Sequence, residues 1–219
     1  MHLGLLQLRI LHFPCLPDAM AGFLVVLEGI DGSGKTTLAG RLAEVLAADG
    51  TEVILTAEPT HGPLGQQIRA MARGGRAGVS PSEELALFHE DRRQHVAEVV
   101  RPALARGATV IQDRSYFSTV AYQGERGIDR SRILAESQVI APIPDLLLVV
   151  DLPVEIALAR IAEARQGGAD DFEKASSLAR VREVFRAFEA AVILDGTLGR
   201  EALADHALDA IRIAKTSRH

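Results

Sequence analysis

The sequence has 219 residues, 47% of them hydrophobic and 24% charged, which is the composition of one ordinary globular domain. A formal net charge of −5 argues against duplex DNA or an anionic membrane as the main partner, because both would need a basic face. Cys15 is the only cysteine, so an intramolecular disulfide is impossible and no structural zinc site is indicated. We therefore expect a cytoplasmic protein that neither binds nucleic acid nor crosses a membrane.

Residues 1–20 are apolar and carry only Arg9 and Asp18 as full charges. They lack the basic start and the small-residue cleavage site of a secretory signal. We expect them to form a non-structured N-terminal extension, with Met20 as the functional start and a single domain over 21–219. A targeting peptide is the alternative.

The remaining chain alternates short apolar runs with longer amphipathic stretches, as α/β proteins with a parallel sheet do. Runs of Leu and β-branched residues predict five strands, at 23–28, 52–56, 108–112, 145–150 and 192–194. Helical spacing of apolar residues predicts a helix that ends at Gly50 and four more helices, at 81–106, 153–165, 173–190 and 200–214. The glycine-containing segments 73–78 and 166–171 are predicted to be mobile loops.

The first strand is followed by a phosphate-binding motif, Gly29-Ile30-Asp31-Gly32-Ser33-Gly34-Lys35-Thr36, which matches G-x-x-x-x-G-K-[ST] between a strand and a helix. Glycines let the backbone approach phosphate oxygens closely, and the next helix adds its positive N-terminal end. Lys35 is predicted to contact the β- and γ-phosphates, and Thr36 to bind Mg²⁺. The motif predicts an Mg-ATP site in a three-layer α/β fold of the P-loop NTP hydrolase type, with a five-stranded parallel sheet flanked by helices.

The acceptor of the phosphoryl group has to be inferred from the rest of the chain. The sequence contains no asparagine, so the Asn-Lys-x-Asp guanine reader of GTPases and the catalytic-loop Asn of protein kinases are both absent. The third predicted strand runs into Asp113-Arg114, at the sheet edge where α/β proteins bind ligands. Asp113 can hold Mg²⁺ through water, and Arg114 can clamp an acceptor phosphate. A surface salt bridge between the two is the alternative.

The long predicted helix carries Phe88 and Arg92 four residues apart, with His95 on the same side. A ring and a guanidinium on one helix face can bind a nucleobase, by stacking and by a hydrogen bond to a carbonyl. Spacing alone, however, favours a core position for Phe88.

Taken together, these motifs resemble those of the bacterial thymidylate kinases, over nearly all of 22–214. The resemblance rests on five groups of residues in family order: Leu27 to Thr37; Glu58-Pro59 with Gly65 and Ile68-Arg69; Leu87-Phe88 with Asp91-Arg92 and His95; Asp113-Arg114 with Ser118 and Ala121-Tyr122-Gln123-Gly124; and Asp151-Leu152-Pro153 with Arg160 and Asp195-Gly196.

The resemblance implies that ATP phosphorylates dTMP to dTDP, in dTTP synthesis, with Mg²⁺ as the metal and a homodimer as the assembly. It also implies a role for each matched residue. In the acceptor site, Phe88 would stack on thymine, Arg92 would bind its carbonyl, and Gln123 with Ser118 or Thr119 would contact the base edge. Tyr122 would crowd the sugar 2′ position. The phosphate and its metal would be surrounded by Arg69, Arg114 and Glu58. In the donor site Thr37 joins the phosphate-binding motif, Asp31 lies between the two phosphoryl groups, and Arg160 packs on adenine. A mobile lid at about 162–176 closes to keep water out.

The sequence departs from the family pattern at several of these places. Ala57 and Thr60-His61 flank Glu-Pro in place of the usual Arg and Gly-Gly, and Ser115 replaces the Tyr that commonly follows Asp-Arg. Asp171 stands where the lid usually has Arg, so Arg165 is predicted to supply the catalytic lid cation. Two alternatives stay open: a kinase for another nucleoside monophosphate, and a nucleotide-binding regulatory protein that has lost transfer.

Overall fold

The computed structural model describes residues 22–74, 78–165 and 171–218, without the side chains of 164, 165 and 171–174. Five strands form one sheet: β1 Phe23–Glu28, β2 Val53–Ala57, β3 Thr109–Asp113, β4 Leu146–Asp151 and β5 Ala191–Asp195. All neighbouring strands are parallel, in the order β2-β3-β1-β4-β5. Each predicted strand is confirmed to within one residue at either end, and so is the parallel sheet of the predicted fold class.

The central strand β1 is buried along its whole length because helices cover both faces of the sheet. Leu24 and Val26 pack into one hydrophobic cluster, whereas Val25 and Leu27 pack into the other. A strand alternates its side chains between two faces, so a strand with two buried faces must be apolar throughout. This alternation explains the continuous apolar run at 23–27 and gives the fold its three layers.

Nine α-helices flank the sheet in the described parts of the chain. They are α1 Lys35–Ala48, α2 Pro63–Arg73, α3 Pro81–His95, α4 Arg101–Ala105, α5 Tyr116–Glu125, α6 Arg130–Ile140, α7 Val154–Arg165, α8 Asp171–Arg186 and α9 Arg200–Ser217. Helices α1 and α9 contribute to the cluster on one face of the sheet, and α3 to α8 contribute to the cluster on the other. None of the helices that the structure describes is long and apolar enough for a bilayer crossing.

Three of these helices, α2, α5 and α6, were not predicted, and the predicted helix 81–106 is not continuous. A π-helical turn at Val96–Val100 separates α3 from α4. Pro102 follows this turn, and a proline ring clashes with the carbonyl four residues before it while lacking an N–H for the helical bond. The wider π turn therefore accommodates the proline without ending the helical path.

Some predictions concern residues outside the description. These are the N-terminal extension, residues 75–77 of the predicted loop 73–78, and residues 166–170, which belong both to the predicted loop 166–171 and to the predicted lid at about 162–176. The sheet edge that carries the site is fully described. Backbone hydrogen bonds continue the strand pairing beyond the strands there, from Glu58 N to Asp113 O (3.0 Å), from Arg114 N to Leu27 O (2.9 Å) and from Gly196 N to Asp151 O (2.8 Å). The loops at the carboxyl ends of the strands are therefore held in register.

Candidate active site

The phosphate-binding motif forms a tight loop between β1 and α1. Gly29 and Gly32 have φ angles of 143° and 81°, and a Cβ at these positions would lie 2.6 Å from Val150 O and 2.5 Å from Ala157 O. No side chain fits there, which is why the loop can keep its backbone open to a ligand. The loop leads into the N-terminus of α1, whose first N–H groups have no partner within the helix and whose dipole favours an anion.

Lys35 begins α1 and is buried beneath this loop. Its Nζ donates a hydrogen bond to Ile30 O at 3.1 Å. Burial, with a smaller repulsion from Arg114, lowers the pKa of Lys35 to about 8, against attraction from Asp31, Asp113 and Glu28. The lysine is therefore a cation whose charge is poorly solvated in the free protein, and it would gain from an anionic ligand.

The residues predicted to bind a metal are next to each other at the start of α1 and the end of β3. Thr36 Oγ1 donates to Asp113 Oδ2, 2.5 Å away. The second carboxylate oxygen, Asp113 Oδ1, is buried and has no hydrogen-bond partner among the residues that the structure describes. A hydroxyl and an open carboxylate oxygen beside a phosphate loop fit Mg²⁺, which takes one or two protein ligands and completes its shell with water and phosphate oxygens. No cluster of three or more His, Cys, Asp or Glu with metal-ligand geometry occurs within 22–74, 78–165 and 171–218.

Glu58, the third predicted metal residue, is the centre of a buried network. Its Oε2 accepts from Arg92 Nε at 2.9 Å, and its Oε1 accepts from His95 Nδ1 at 3.0 Å. Burial by itself would raise the pKa of Glu58, but Arg92 and His95 outweigh it and hold the pKa below its usual value. Thr56 Oγ1 lies 2.7 Å from the other ring nitrogen of His95, so the imidazole is held at both ends. Both oxygens of Glu58 are thus committed to positive or N–H groups.

Arg92 is almost fully buried yet keeps one nitrogen open. Besides Glu58, it reaches Thr119, whose Oγ1 accepts from Nη2 at 2.8 Å. Its Nη1 is buried and has no partner among the described residues. On α5, Gln123 is also buried, and its Oε1 likewise has no partner in the part of the chain that the structure describes. Phe88 is only partly buried and belongs to neither hydrophobic cluster, so the core position that its spacing favours is wrong. These observations describe a polar site between α3 and α5, in which Arg92 offers an open donor and Gln123 an open acceptor.

Arg114 is placed between the two halves of the site. Its backbone has a φ of 67°, which is rare for a residue with a side chain. Its guanidinium pairs with Asp31 of the phosphate loop, donates to Ser118 Oγ at 2.8 Å, and lies 5.4 Å from the centre of the Tyr122 ring. Burial raises the pKa of Tyr122 to about 12, so the ring stays neutral. The predicted group Asp31, Arg114, Ser118 and Tyr122 is therefore brought together.

Two further arginines line the site. Arg69 on α2 donates to Pro59 O, and its Nε is buried without a partner within 22–74, 78–165 and 171–218. Arg160 on α7 is exposed and lies over the phosphate loop, with Nη1 3.4 Å from Ser33 O and Nη2 3.4 Å from Gly196 O, both long for hydrogen bonds. Arg160, Thr37 and Gly196 line one cleft together with Ser33, Gly34 and Thr36. Arg165 ends α7, but its side chain is outside the description, as is that of Asp171.

Three polar contacts around the site were not predicted. Thr60 gives its N–H and its hydroxyl to the carboxylate of Asp91, which ties the Glu-Pro loop to α3. Arg182 of α8 forms a two-pronged pair with Asp151 at the end of β4. Glu28 receives four hydrogen bonds from the start of α5. Glu28, Asp91 and Asp151 all lie in sequence groups on which the family resemblance rests, but these contacts join residues 31 to 90 positions apart and the sequence did not predict them.

The chain is similar to proteins of known activity. A family model described as Thymidylate kinase matches residues 27–205. The relative "Thymidylate kinase" from Akkermansia muciniphila is 45% identical over 185 residues, which cover 84% of this chain and 88% of that protein. The protein named "Thymidylate kinase" from Xylella fastidiosa is 44% identical over 189 residues, which cover 85% of this chain and 85% of that protein. The one from Xanthomonas euvesicatoria pv. vesicatoria is 48% identical over 168 residues, 77% of this chain and 73% of that protein.

Proposed function

This chain belongs to the thymidylate kinase family, and on that premise we propose that it transfers the γ-phosphoryl group of ATP to the 5′-phosphate of dTMP and forms dTDP. The observation that carries the choice of acceptor is the pair of open buried atoms, Arg92 Nη1 and Gln123 Oε1. A buried donor or acceptor without a partner is costly, so a ligand that satisfies both gains affinity. Thymine offers a ring carbonyl to Arg92 and a ring N–H to Gln123, with Phe88 available for stacking.

The donor half of the site is the loop from Gly29 to Thr37. Its backbone N–H groups and Lys35 hold the ATP phosphates, and Arg160 covers the adenine side of the cleft. Thr36 and Asp113 hold Mg²⁺, which neutralises charge on the transferring phosphoryl group when it is bound. Because both oxygens of Glu58 are occupied, we assign Glu58 to holding Arg92 rather than to direct metal binding.

The acceptor phosphate lies between Arg114 and Arg69 in this proposal. Arg114 is paired with Asp31, so its charge is already located where the two phosphates meet. A loose phosphoryl-transfer transition state leaves the protein the tasks of alignment and charge neutralisation. No general base is needed, because the attacking oxygen belongs to a phosphate that is anionic near neutral pH. Arg165 is the proposed lid cation, and closure of the lid keeps water from accepting the phosphoryl group.

Thr60 bears on the rival hypothesis of another acceptor. Its departure from the family pattern motivated that hypothesis, yet its side chain is turned to Asp91 of α3. This contact ties the Glu-Pro loop to the helix that carries Arg92, so the altered residue has a structural role that does not require another acceptor. Within the same proposal, the protein acts in dTTP synthesis as a cytoplasmic homodimer.

The assay that tests the proposal measures ADP release from Mg-ATP with dTMP, dCMP, dGMP and UMP as acceptors. We expect dTMP to have the highest kcat/KM. Gln123→Leu removes one hydrogen bond to the base and should raise the KM for dTMP about tenfold, with the KM for ATP unchanged. Gln94→Leu is the matched control, since Gln94 is exposed on α3 and its amide group donates to Glu98. Equal kcat/KM for all four acceptors would sink the assignment, and absent turnover with intact ATP binding would indicate a regulatory protein.

The lid assignment needs its own variant. Arg165→Ala should lower kcat by a hundredfold or more, because a cation at the transferring phosphoryl group is worth about 10³–10⁵ in related reactions. Arg200→Ala, an exposed arginine in the ATP cleft, serves as the comparison. An unchanged kcat for Arg165→Ala removes this residue from the mechanism and leaves the rest of the proposal in place.

A further inference from the structure

Glu28 is a fully buried carboxylate at the junction of the two phosphate sites. It ends the central strand β1 and directly precedes Gly29, the first residue of the phosphate loop. A charge in this position is expensive unless it is hydrogen-bonded. No step proposed above uses it.

All four of its hydrogen bonds come from the first turn of α5. Oε1 accepts from Ser115 N at 2.8 Å, from Ser115 Oγ at 3.0 Å and from Ser118 N at 3.1 Å, and Oε2 accepts from Ser118 Oγ at 2.6 Å. The positive end of the α5 dipole points the same way. Burial raises the pKa of Glu28, while Arg114 and these donors act in the opposite direction. The carboxylate thus fastens the start of α5 to the end of β1.

Arg114 lies between these fastened points. On one side its own N–H donates to Leu27 O at 2.9 Å, and on the other side the next N–H, that of Ser115, donates to Glu28. Two consecutive residues of β1 therefore hold the backbone around Arg114, which keeps the left-handed conformation that a residue with a side chain rarely adopts. This backbone conformation fixes the direction in which the side chain of Arg114 leaves the backbone.

The side chain of Arg114 is connected to the same carboxylate. Nη1 donates to Ser118 Oγ at 2.8 Å, and that hydroxyl donates onward to Glu28 Oε2 at 2.6 Å. Ser118 therefore accepts from the guanidinium and donates to the carboxylate in one chain. Ser115, which differs from the usual family residue, adds a hydroxyl that caps α5 by accepting from Phe117 N at 3.3 Å and also donates to Glu28.

We propose that Glu28 is a positioning residue, which fixes the backbone and the guanidinium of Arg114 relative to the phosphate loop. The inference rests on the proposed function, in which Arg114 clamps the acceptor phosphate. Glu28 is directly followed by the phosphate loop in the chain. It therefore keeps the guanidinium of Arg114, which binds the acceptor phosphate, at a fixed position relative to the loop that binds the ATP phosphates. Misplacement of a reacting group by about 1 Å can cost about a hundredfold in rate.

The first test is Glu28→Gln, which keeps the shape of the side chain but removes an oxygen that accepts a hydrogen bond. We expect kcat with dTMP to fall by about tenfold to a hundredfold and the affinity for dTMP to weaken, whereas the Kd for ATP, measured by calorimetry without acceptor, changes less than about threefold. Asp145→Asn is the matched control: Asp145 Oδ2 accepts from Leu24 N at 2.8 Å at the opposite end of β1. It should leave kcat and both affinities at wild-type values.

A purely structural role would lower the melting temperature and the active fraction but not kcat per titrated active site. Unchanged kcat and dTMP affinity per active site in Glu28→Gln therefore overturn the inference. Ser118→Ala provides the second route if Glu28→Gln fails to fold, because it breaks only the chain to Arg114. It should lower kcat at saturating dTMP, whereas loss of a base contact alone would raise KM and leave kcat at its wild-type value, which also overturns the inference.

A double-mutant cycle sharpens the result. If Glu28 acts through Ser118, the loss in the double variant is smaller than the product of the two single losses, and independent effects multiply. If the two losses multiply, the inference is overturned.

The wild type is assayed first on the four acceptors. If it prefers another monophosphate, the proposed function fails and the variants are measured with that acceptor. If it turns over none, the inference depends on calorimetry, and equal dTMP affinity of wild type and Glu28→Gln overturns it.

Discussion

Glu58→Gln removes the negative charge from the buried ion pair beneath the acceptor site. The side chains of Glu58 and Arg92 are 4% and 1% exposed, and their atoms are 2.9 Å apart. Loss of one partner from such a pair typically costs about 3–5 kcal/mol, because the other charge stays buried. A glutamine still offers one carbonyl oxygen to Arg92 or His95. We therefore expect the free energy of unfolding to fall by about 3 kcal/mol, a large part of the roughly 5–15 kcal/mol of a typical protein.

The loss is measured by urea unfolding at matched protein concentration, at pH 7 and again in acid. The folded-state pKa of Glu58 lies below its usual value of 4.5 because Arg92 and His95 outweigh the effect of burial. A lowered pKa means that the stabilisation is fully present above the unfolded pKa and is lost as pH falls through the folded pKa. The difference between wild type and Glu58→Gln should therefore shrink below about pH 4.5.

Glu52→Gln is the control for the general effect of removing a carboxylate. Glu52 pairs with Arg106 at 2.6 Å, but both side chains are about half exposed. Exposed pairs contribute little, so the loss should stay under about 1 kcal/mol. A loss under about 1 kcal/mol for Glu58→Gln, or a difference that is the same at pH 3.5 and pH 7, would refute this account of the ion pair.

Three further predictions concern the donor half. Burial lowers the pKa of Lys35 to about 8, so we expect ATP binding to weaken as pH rises from 7 to 9.5. Above the pKa the free protein must take up a proton before Lys35 can offer a positive charge to the phosphates. An ATP affinity that calorimetry finds constant over this pH range contradicts the prediction. Asp113→Asn should raise the Mg²⁺ concentration for half-maximal activity, with the KM for ATP at saturating Mg²⁺ nearly unchanged, and an unaltered Mg²⁺ titration excludes Asp113 from the metal site. Arg160→Ala should raise the KM for ATP severalfold and leave the KM for dTMP alone; a shift in the dTMP value instead would place Arg160 in the wrong half of the site.

Local signals explain the parts of the fold that the sequence predicted well. Each strand is a short apolar run between breakers, and the phosphate loop is a contiguous motif, so neither requires knowledge of distant contacts. Helix α5 gave only a weak signal because it has ten residues and its buried face includes the polar Thr119 and Gln123 beside Phe117 and Val120, which blurs the contrast between an apolar and a polar face. Pro102 was visible in the sequence, but a proline can either end a helix or be accommodated by a π turn, and the sequence did not show which of the two occurs here.

The site residues that could be predicted are those whose function follows from their residue type within a known motif. Lys35, Thr36 and Arg114 lie in motifs with known spacing, and the structure brings them together at one sheet edge. The contacts of Glu58 with Arg92 and of Glu28 with Ser118 join residues 34 and 90 positions apart, so they depend on the fold. The family resemblance implied a metal role for Glu58, and the pairing of both its oxygens with Arg92 and His95 could not be predicted because these contacts depend on the fold.

The strand order has a consequence for how the protein acquires its site during folding. Strand β1 pairs with β3 and β4, whereas β2, which follows it in the chain, lies at the edge of the described sheet and pairs with β3. The phosphate loop is therefore not supported by its nearest neighbour in sequence, and it stays without a scaffold until a strand more than 80 residues later has docked. Such non-local pairing has to overcome loop-closure entropy before it gains any contact. We therefore expect ATP to bind only after the sheet has formed. The bound nucleotide then stabilises the whole folded chain by mass action.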